Sequence, residues 1–249
     1  MARLASLLGL DGNVPAAGDR SRELLAAALA SGGDFAMVAR ECRMDLAARI
    51  EAHLGPFDPR HLRALHEVPR ERFVRPEEVT HSAEDVPLPL DDRGLSTISA
   101  PHAYLLSFRL LELAEGDTVL ELGTGTGYGA ALAAAVVGPD GRVVSVEIDP
   151  ELATRAAVLL ADEANVRVLA QDAMAAGDLF VGARKVTCTF AVERLPAAWQ
   201  DALEEGATLV APVGAEGANQ KLVRARRTAG ALTTTEHGAV RYVPNRSAR

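Results

Sequence analysis

The chain is expected to fold as an α/β protein with a doubly wound, mostly parallel sheet. Three observations lead there. From residue 117 onward, short continuous apolar runs alternate with helix-like segments, the pattern of parallel strands covered on both faces by helices. The first of these runs, "DTVLEL", passes at once into a glycine loop and an alanine-rich helix, "GTGTGYGAALAAAVVG". The composition agrees: 48% of the 249 residues are apolar and only 4% aromatic, which suits small-residue helices packed on a buried sheet.

The elements follow in order. Residues 1 to 18 hold Gly, Pro and Asn and read as loose. "DRSRELLAAALASGG" reads as a short helix, capped by Asp19 or Ser21 and stopped by Gly32-Gly33. Phe35, Val38, Cys42, Leu46, Ile50 and Leu54 then step by three and four, one helical stripe that Gly55 ends. In "FDPRHLRALHEVPRERF", Asp58 is the N-cap and Pro59 takes the first helical position. "VPLPL" is extended, and "GLSTISAPHAY" follows it, with a helix beginning near Pro101. The strands are "DTVLEL", "RVVSVEI", "VRVLA", "KVTCTF" and "ATLVAPVG"; the helices among them are "YGAALAAAVVG", "PELATRAAVLLADEA" and "PAAWQDALEEG". The tail segments "QKLVRARR", "ALTTTE" and "AVRYVP" read as antiparallel strands.

Bulk properties narrow the function. Cys42 and Cys188 are far apart and suggest buried thiols, with neither a disulfide framework nor a metal site. No apolar run has membrane length, and Asp11 interrupts the apolar start, so a cytoplasmic protein is expected. The net charge of −8 argues against a polyanion binder. The charge is uneven, however. From Lys221 to the end, seven basic residues face one acid, Glu236. Arg60, Arg63, Arg70, Arg72 and Arg75 form a second group, diluted by glutamates. Each group is either a solvated face or a site that meets an anionic substrate.

The glycine loop carries the first chemical signal. Gly123, Gly125 and Gly127 allow a tight turn and close approach to a ligand, and the loop amides face a nucleotide. Glu147 closes the next strand, where an acid takes both ribose hydroxyls of an adenosine. A dinucleotide loop wants G-x-G-x-x-G. Counted from Gly123 the sixth position is Tyr128, which fails; counted from Gly125 it is Ala130, which a looser version allows. Glu121, just before the loop, would repel a pyrophosphate but welcome an ammonium and a sulfonium. The set favours S-adenosylmethionine over NAD(P) and over a purely structural turn.

The second signal is "TISAPH". Thr97 and Ser99 place two hydroxyls around Ile98, with no general base in evidence. Methylating an amine or hydroxyl usually needs proton removal. A carboxylate, with a reference pKa of about 4, is already ionised at neutral pH. Such an acceptor needs positioning rather than a base, so a carboxylate acceptor and a methyl-ester product account for hydroxyls alone. The bland alternative is that Ser99 and Thr97 merely cap the helix near Pro101.

These stretches, taken in order, resemble the protein-L-isoaspartate (D-aspartate) O-methyltransferase family over roughly residues 58 to 244. "DPRHLRALHEVPRERFV", "TISAPH", "VLELGTGTGYGAA", "PVGAEGANQ" and "VRYVP" each match a family motif. The resemblance implies a Rossmann-like, class I S-adenosylmethionine-dependent fold and Ser99 as the catalytic hydroxyl, with Thr97 and His102 beside it. It implies a cofactor site of Glu121, Gly123, Thr124, Gly125, Gly127, Glu147, Ile148 and Asp172. It places Ile98, His102, Asn219, Gln220 and Arg241 on the substrate side, with no metal. The substrate would be a protein or peptide bearing isoaspartate or aspartate. Its methyl ester collapses to a succinimide, which water reopens. No nucleic-acid or membrane partner is expected, and a monomer is favoured. The organisation would be an N-terminal extension over 1–34, a helical substrate-side region over 35–95 and the methyltransferase domain over 96–249.

The chain departs from the family at Ser96, at Gln171 and Ala173 around Asp172, at Arg184-Lys185, at Thr189 to Arg194 and at Ala218. Phe190 and Arg194 add bulk and charge where the family is small. Two alternatives follow: an enzyme dedicated to one ribosomally made peptide, or a non-catalytic S-adenosylmethionine-binding protein. The basic tail permits a nucleic-acid methyltransferase, which the overall acidity does not support.

Overall fold

The computed structural model describes residues 18–175, 177–215 and 219–247. The expected loose start, the Asp19 cap and part of "GAEGA" lie outside the described residues and side chains. The chain divides into two units, Met1–Leu106 and Ser107–Arg249.

The first unit is built from helices and turns. Helix α1 (Gly18–Ser31) is followed by α2 (Phe35–Leu54), whose N-cap Asp34 accepts from the Met37 amide. Ser21, expected as a cap, lies inside α1 and is 4% exposed. Cys42, Leu46 and Ile50 of the expected stripe are buried in α2, but Ala39, Arg43 and Ala47 are buried beside them. Arg43 is tolerated there because Nη1 reaches both carboxylate oxygens of Glu71, at 2.6 and 2.8 Å, and Nε donates to the His66 carbonyl. Helix α3 (Pro59–Glu67) begins as expected, with Asp58 accepting from the Arg60 amide. Strands β1 (Leu88–Pro89) and β2 (Thr97–Ile98) pair antiparallel. Asp91 closes the turn between them by accepting the amides of Arg93, Leu95 and Ser96. Helix α4 (Pro101–Leu111) follows, and the boundary between the units falls within it.

The second unit holds a seven-stranded sheet. Its strands are β3 (Thr118–Leu122), β4 (Arg142–Glu147), β5 (Val166–Ala170), β6 (Lys185–Cys188), β7 (Thr208–Val213), β8 (Gln220–Thr228) and β9 (Ala231–Val240), in spatial order β5-β4-β3-β6-β7-β8-β9. The first five are parallel and the last two antiparallel. Val119, Leu120 and Leu122 are fully buried, as a central parallel strand requires. The helices α5 (Tyr128–Val137), α6 (Pro150–Leu159) and α7 (Ala197–Ala202) connect strands, α6 and α7 being shorter than expected. The core centres on Trp199, fully buried, with Phe180 and Phe190 as ring neighbours; its Nε1 donates to the Ala173 carbonyl.

Two expectations are corrected here. The tail forms two long strands rather than three: β9 runs through Ala239 and Val240, and residues 241–247 leave the sheet. That segment bonds to residue 191 instead, where the Ala191 amide donates to Val243 and the Asn245 amide to Ala191. Nor is either basic group a wholly solvated face: Arg63, Arg72, Arg226 and Arg241 are exposed, but other members are committed internally. Arg70 is 1% exposed, Arg75 pairs with Asp92, Arg224 with Glu112, and Arg227 donates to the Leu203, Gln200 and Gly230 carbonyls.

Candidate functional site

Sheet order locates the cofactor side. Strand β3 has its sequence neighbour β4 on one side and β6 on the other, so its carboxyl end is the switch point where open α/β sheets bind ligands. The glycine loop leaves the sheet there. Gly123, Gly125 and Gly127 all have positive φ, at 97, 56 and 98°, a conformation that glycine adopts freely. Internal packing also demands two of them. A Cβ on Gly123 would strike the Thr189 hydroxyl, and one on Gly127 would sit 2.7 Å from Leu160. The Thr189 hydroxyl donates to the Gly123 carbonyl at 2.6 Å, so the departure after β6 braces the loop.

Glu121 is 2% exposed. Its carboxyl accepts from Ser145 Oγ at 2.5 Å, and Ser145 Oγ lies 2.6 Å from Thr124 Oγ1, giving a buried chain of three side chains. Burial pushes the Glu121 carboxyl up to about 8; the Ser145 bond opposes this and the nearby Glu147 reinforces it. A buried acid in that condition, with no basic side chain against it among the described residues, fits a cationic ligand group. Glu147 accepts the Gly125 amide at 2.8 Å on one oxygen and the Asp149 amide at 3.1 Å on the other. Two of its four lone-pair positions remain for hydroxyl donors. Burial raises this carboxyl too, against the two amide bonds and the Arg246 charge.

Asp172 lies beyond β5. Its Oδ1 takes the Met174 amide at 2.8 Å and the Ser247 hydroxyl at 2.6 Å, leaving Oδ2 for a ligand. Arg246 pairs with Asp149 at 3.2 Å. Ile148 is 38% exposed. Asn219 and Arg241 are exposed. Gln220 is 3% exposed and commits both ends of its amide to the main chain of Tyr242, at 3.1 and 2.7 Å. Phe190, expected as added bulk where the family is small, turns its ring edge-on to Trp199, 6.1 Å away, while Glu193 and Arg194 are exposed.

The first unit carries the hydroxyl motif. Ile98 is buried, and Thr97 and Ser99 are partly buried. Ser99 bonds through its main chain: its amide donates to the Tyr104 phenol at 3.2 Å, and its carbonyl accepts from Arg70 at 3.1 Å. His102 donates its amide to Asp85 at 3.0 Å, and its Nδ1 lies 3.0 Å from both Asp85 oxygens. Burial raises the Asp85 carboxyl, but the His102 hydrogen bonds and the His102 and Arg70 charges outweigh it and hold it below the usual range. The expected residues thus divide between the units: Thr97, Ile98, Ser99 and His102 belong to the first, the rest to the second.

Ser145, Asp85, Tyr104 and Ser247 were not singled out from the sequence, and Arg70 and Arg246 only as members of basic groups. Ser145 had a signal, a lone hydroxyl in the apolar run "RVVSVEI". The others act through pairings that residue spacing does not display.

A doubly wound sheet with an acid, a glycine loop and a second acid at its switch point defines a class I S-adenosylmethionine-dependent methyltransferase fold. The family model described as Protein-L-isoaspartate(D-aspartate) O-methyltransferase matches residues 49–249, and the chain belongs to that family. It is 40% identical over 184 residues to the protein-L-isoaspartate O-methyltransferase of Ignicoccus hospitalis, covering 73% of this chain and 86% of the relative. It is 35% identical over 208 residues to protein-L-isoaspartate O-methyltransferase 2 of Archaeoglobus fulgidus, covering 83% and 93%. A solved structure from Plasmodium falciparum, in complex with S-adenosyl-L-homocysteine, shares the fold at a TM-score of 0.70 and 18% identity, covering 82% of this chain and 98% of that one.

Proposed function

We propose that this chain is an S-adenosylmethionine-dependent carboxyl O-methyltransferase acting on isoaspartyl and aspartyl groups of proteins or peptides. The observation that carries the reading is the buried Glu121 beside a positive-φ glycine loop whose Gly125 amide bonds to Glu147. When bound, S-adenosylmethionine supplies an electrophilic methyl group. Glu121 would hold its cationic end, with Gly123, Thr124, Gly125 and Gly127 forming the loop around it. Glu147 would take the ribose hydroxyls, Ile148 would offer apolar surface, and Asp172 Oδ2 would meet the adenine.

Ser99 and Thr97 would donate to one oxygen of the acceptor carboxylate and leave the other as nucleophile. No base is needed, because that group is ionised at neutral pH. His102, Asn219 and Arg241 would complete the acceptor side, with the buried Ile98 and Gln220 as its scaffold. In the ester product the next peptide nitrogen attacks the carbonyl, methanol leaves, and water reopens the succinimide. A monomer in the cytoplasm, with no nucleic-acid partner, belongs to the same reading; no described helix is long and apolar enough to cross a membrane. The partition at residues 34 and 95 is likewise proposed. A dedicated peptide substrate and a non-catalytic role are not favoured by the relatives.

The test uses labelled S-adenosylmethionine and two peptides that differ only in Asp or isoAsp, reading base-labile methyl transfer. The isoaspartyl peptide should be labelled, and Ser99→Ala should lower the rate about 100-fold with cofactor affinity unchanged by calorimetry. Cofactor binding without labelling of either peptide would overturn the reading.

A further inference from the structure

Ser99 is held by its main chain on both sides. The Tyr104 phenol accepts its amide at 3.2 Å, and Arg70 Nη2 donates to its carbonyl at 3.1 Å. Arg70 is 1% exposed and Tyr104 8%. The same guanidinium also donates to Val86 at 2.7 Å, to Glu84 at 2.9 Å and to Ser82 at 3.1 Å. One buried cation therefore gathers four carbonyls, three from the 82–86 segment and one from Ser99. The planar fork of arginine can do this; the single ammonium of lysine, with three donors on a flexible stem, cannot reproduce the fork. Buried carbonyls and a buried cation left without each other would be costly, so the arrangement fixes the backbone of residue 99. The Ser99 hydroxyl, by contrast, has no partner among the described residues. The chain has committed the amide and the carbonyl of this residue and kept its one reactive group available.

We propose that Arg70 and Tyr104 are positioning residues for methyl transfer, acting through the main chain of Ser99 to set the direction of its hydroxyl. This rests on the reading of Ser99 as the group that holds the acceptor carboxylate. A displacement of about 1 Å at such a group lowers rates about 100-fold, and removing either anchor permits displacements of that order.

The experiment is a pair of double-mutant cycles on the full chain with the isoaspartyl peptide: Tyr104→Phe with Ser99→Ala, and Arg70→Lys with Ser99→Ala. Tyr104→Phe keeps the ring and removes the hydroxyl. It should lower kcat about 10-fold while the KM for S-adenosylmethionine stays near wild type and the variant remains folded at the assay temperature. Arg70→Lys should lower kcat further. In the Ser99→Ala background both effects should vanish, because the group they aim is gone. Equal losses with and without the Ser99 hydroxyl would mean a general structural role and overturn the proposal, as would an unchanged kcat in Tyr104→Phe. Should Arg70→Lys fail to fold, the Tyr104 cycle decides alone. An inactive wild type, or a fully active Ser99→Ala variant, would instead count against the role of Ser99 itself.

Discussion

Glu121 and Asp85 are both buried carboxyls, and their surroundings drive them in opposite directions. At Glu121 burial wins. Between pH 4.5 and about 8 the folded chain keeps a proton that the unfolded chain has released, so stability falls as pH rises through that window. Glu121→Gln should flatten this dependence in thermal melts of the cofactor-free protein. A cationic cofactor group favours the ionised form, so affinity should rise from about pH 6 to about pH 8 in wild type, with proton release on binding. The Gln variant should bind about 10-fold or more weakly and lose that slope; calorimetry in buffers of different ionisation enthalpy checks it. At Asp85 the His102 bonds and the Arg70 charge win over burial. Its lowered value means a contribution present above the ordinary carboxylate value of 3.8 and lost as pH falls below it. Asp85→Asn should therefore destabilise the chain by about 1–3 kcal/mol at neutral pH, and the difference from wild type should shrink as denaturant titrations are carried to acid pH.

At the scale of elements, the segment after β9 binds several strand ends together. Gln220, at the start of β8, fixes the main chain at Tyr242. Val243 and Asn245 bond to Ala191 beyond β6. Arg246 and Ser247 then reach Asp149 and Asp172, beyond β4 and β5. The segment thus bonds beyond the carboxyl ends of three parallel strands, β6, β4 and β5, beside the two acids proposed to meet the adenosine. Truncation after Tyr242 should lower cofactor affinity about 10-fold, the magnitude expected for one lost charged contact of about 1.4 kcal/mol. Calorimetry on the folded, truncated chain checks this, and unchanged affinity would show the segment to be only a fastening. Lys185 illustrates how an apparent departure can serve an element: its ammonium donates to the Leu111 and Glu112 carbonyls at 2.7 and 3.1 Å, where the end of α4 offers unpaired acceptors.

Over the whole molecule, the mostly parallel sheet follows from runs that were plain in the sequence, while its strand order came from the structure. Strands that are apolar throughout need helices on both faces, and a glycine loop after the first strand puts the binding edge at its carboxyl end. The Glu121, glycine-loop and Glu147 set was legible for the same reason: all of it lies at strand ends, within one βαβ unit, where spacing fixes position. The hydroxyl motif stood out as a candidate in the sequence, since hydroxyls without a base suit an acceptor that is already ionised; its role is the one proposed above.

What the sequence could not display was pairing at a distance. Arg70 read as one of a diluted basic group, yet it is buried against carbonyls 12 to 29 residues away. Phe190 read as added bulk where the family is small, and only the structure shows that its ring packs on Trp199. The tail read as a third strand, yet it leaves the sheet after Val240. Local periodicity determined the elements, because each strand or helix is shaped by which of its own faces is apolar. The partners of buried charges and the path of the tail were decided only by the tertiary structure, because those groups must find whatever donors and acceptors the packed elements bring within hydrogen-bond distance.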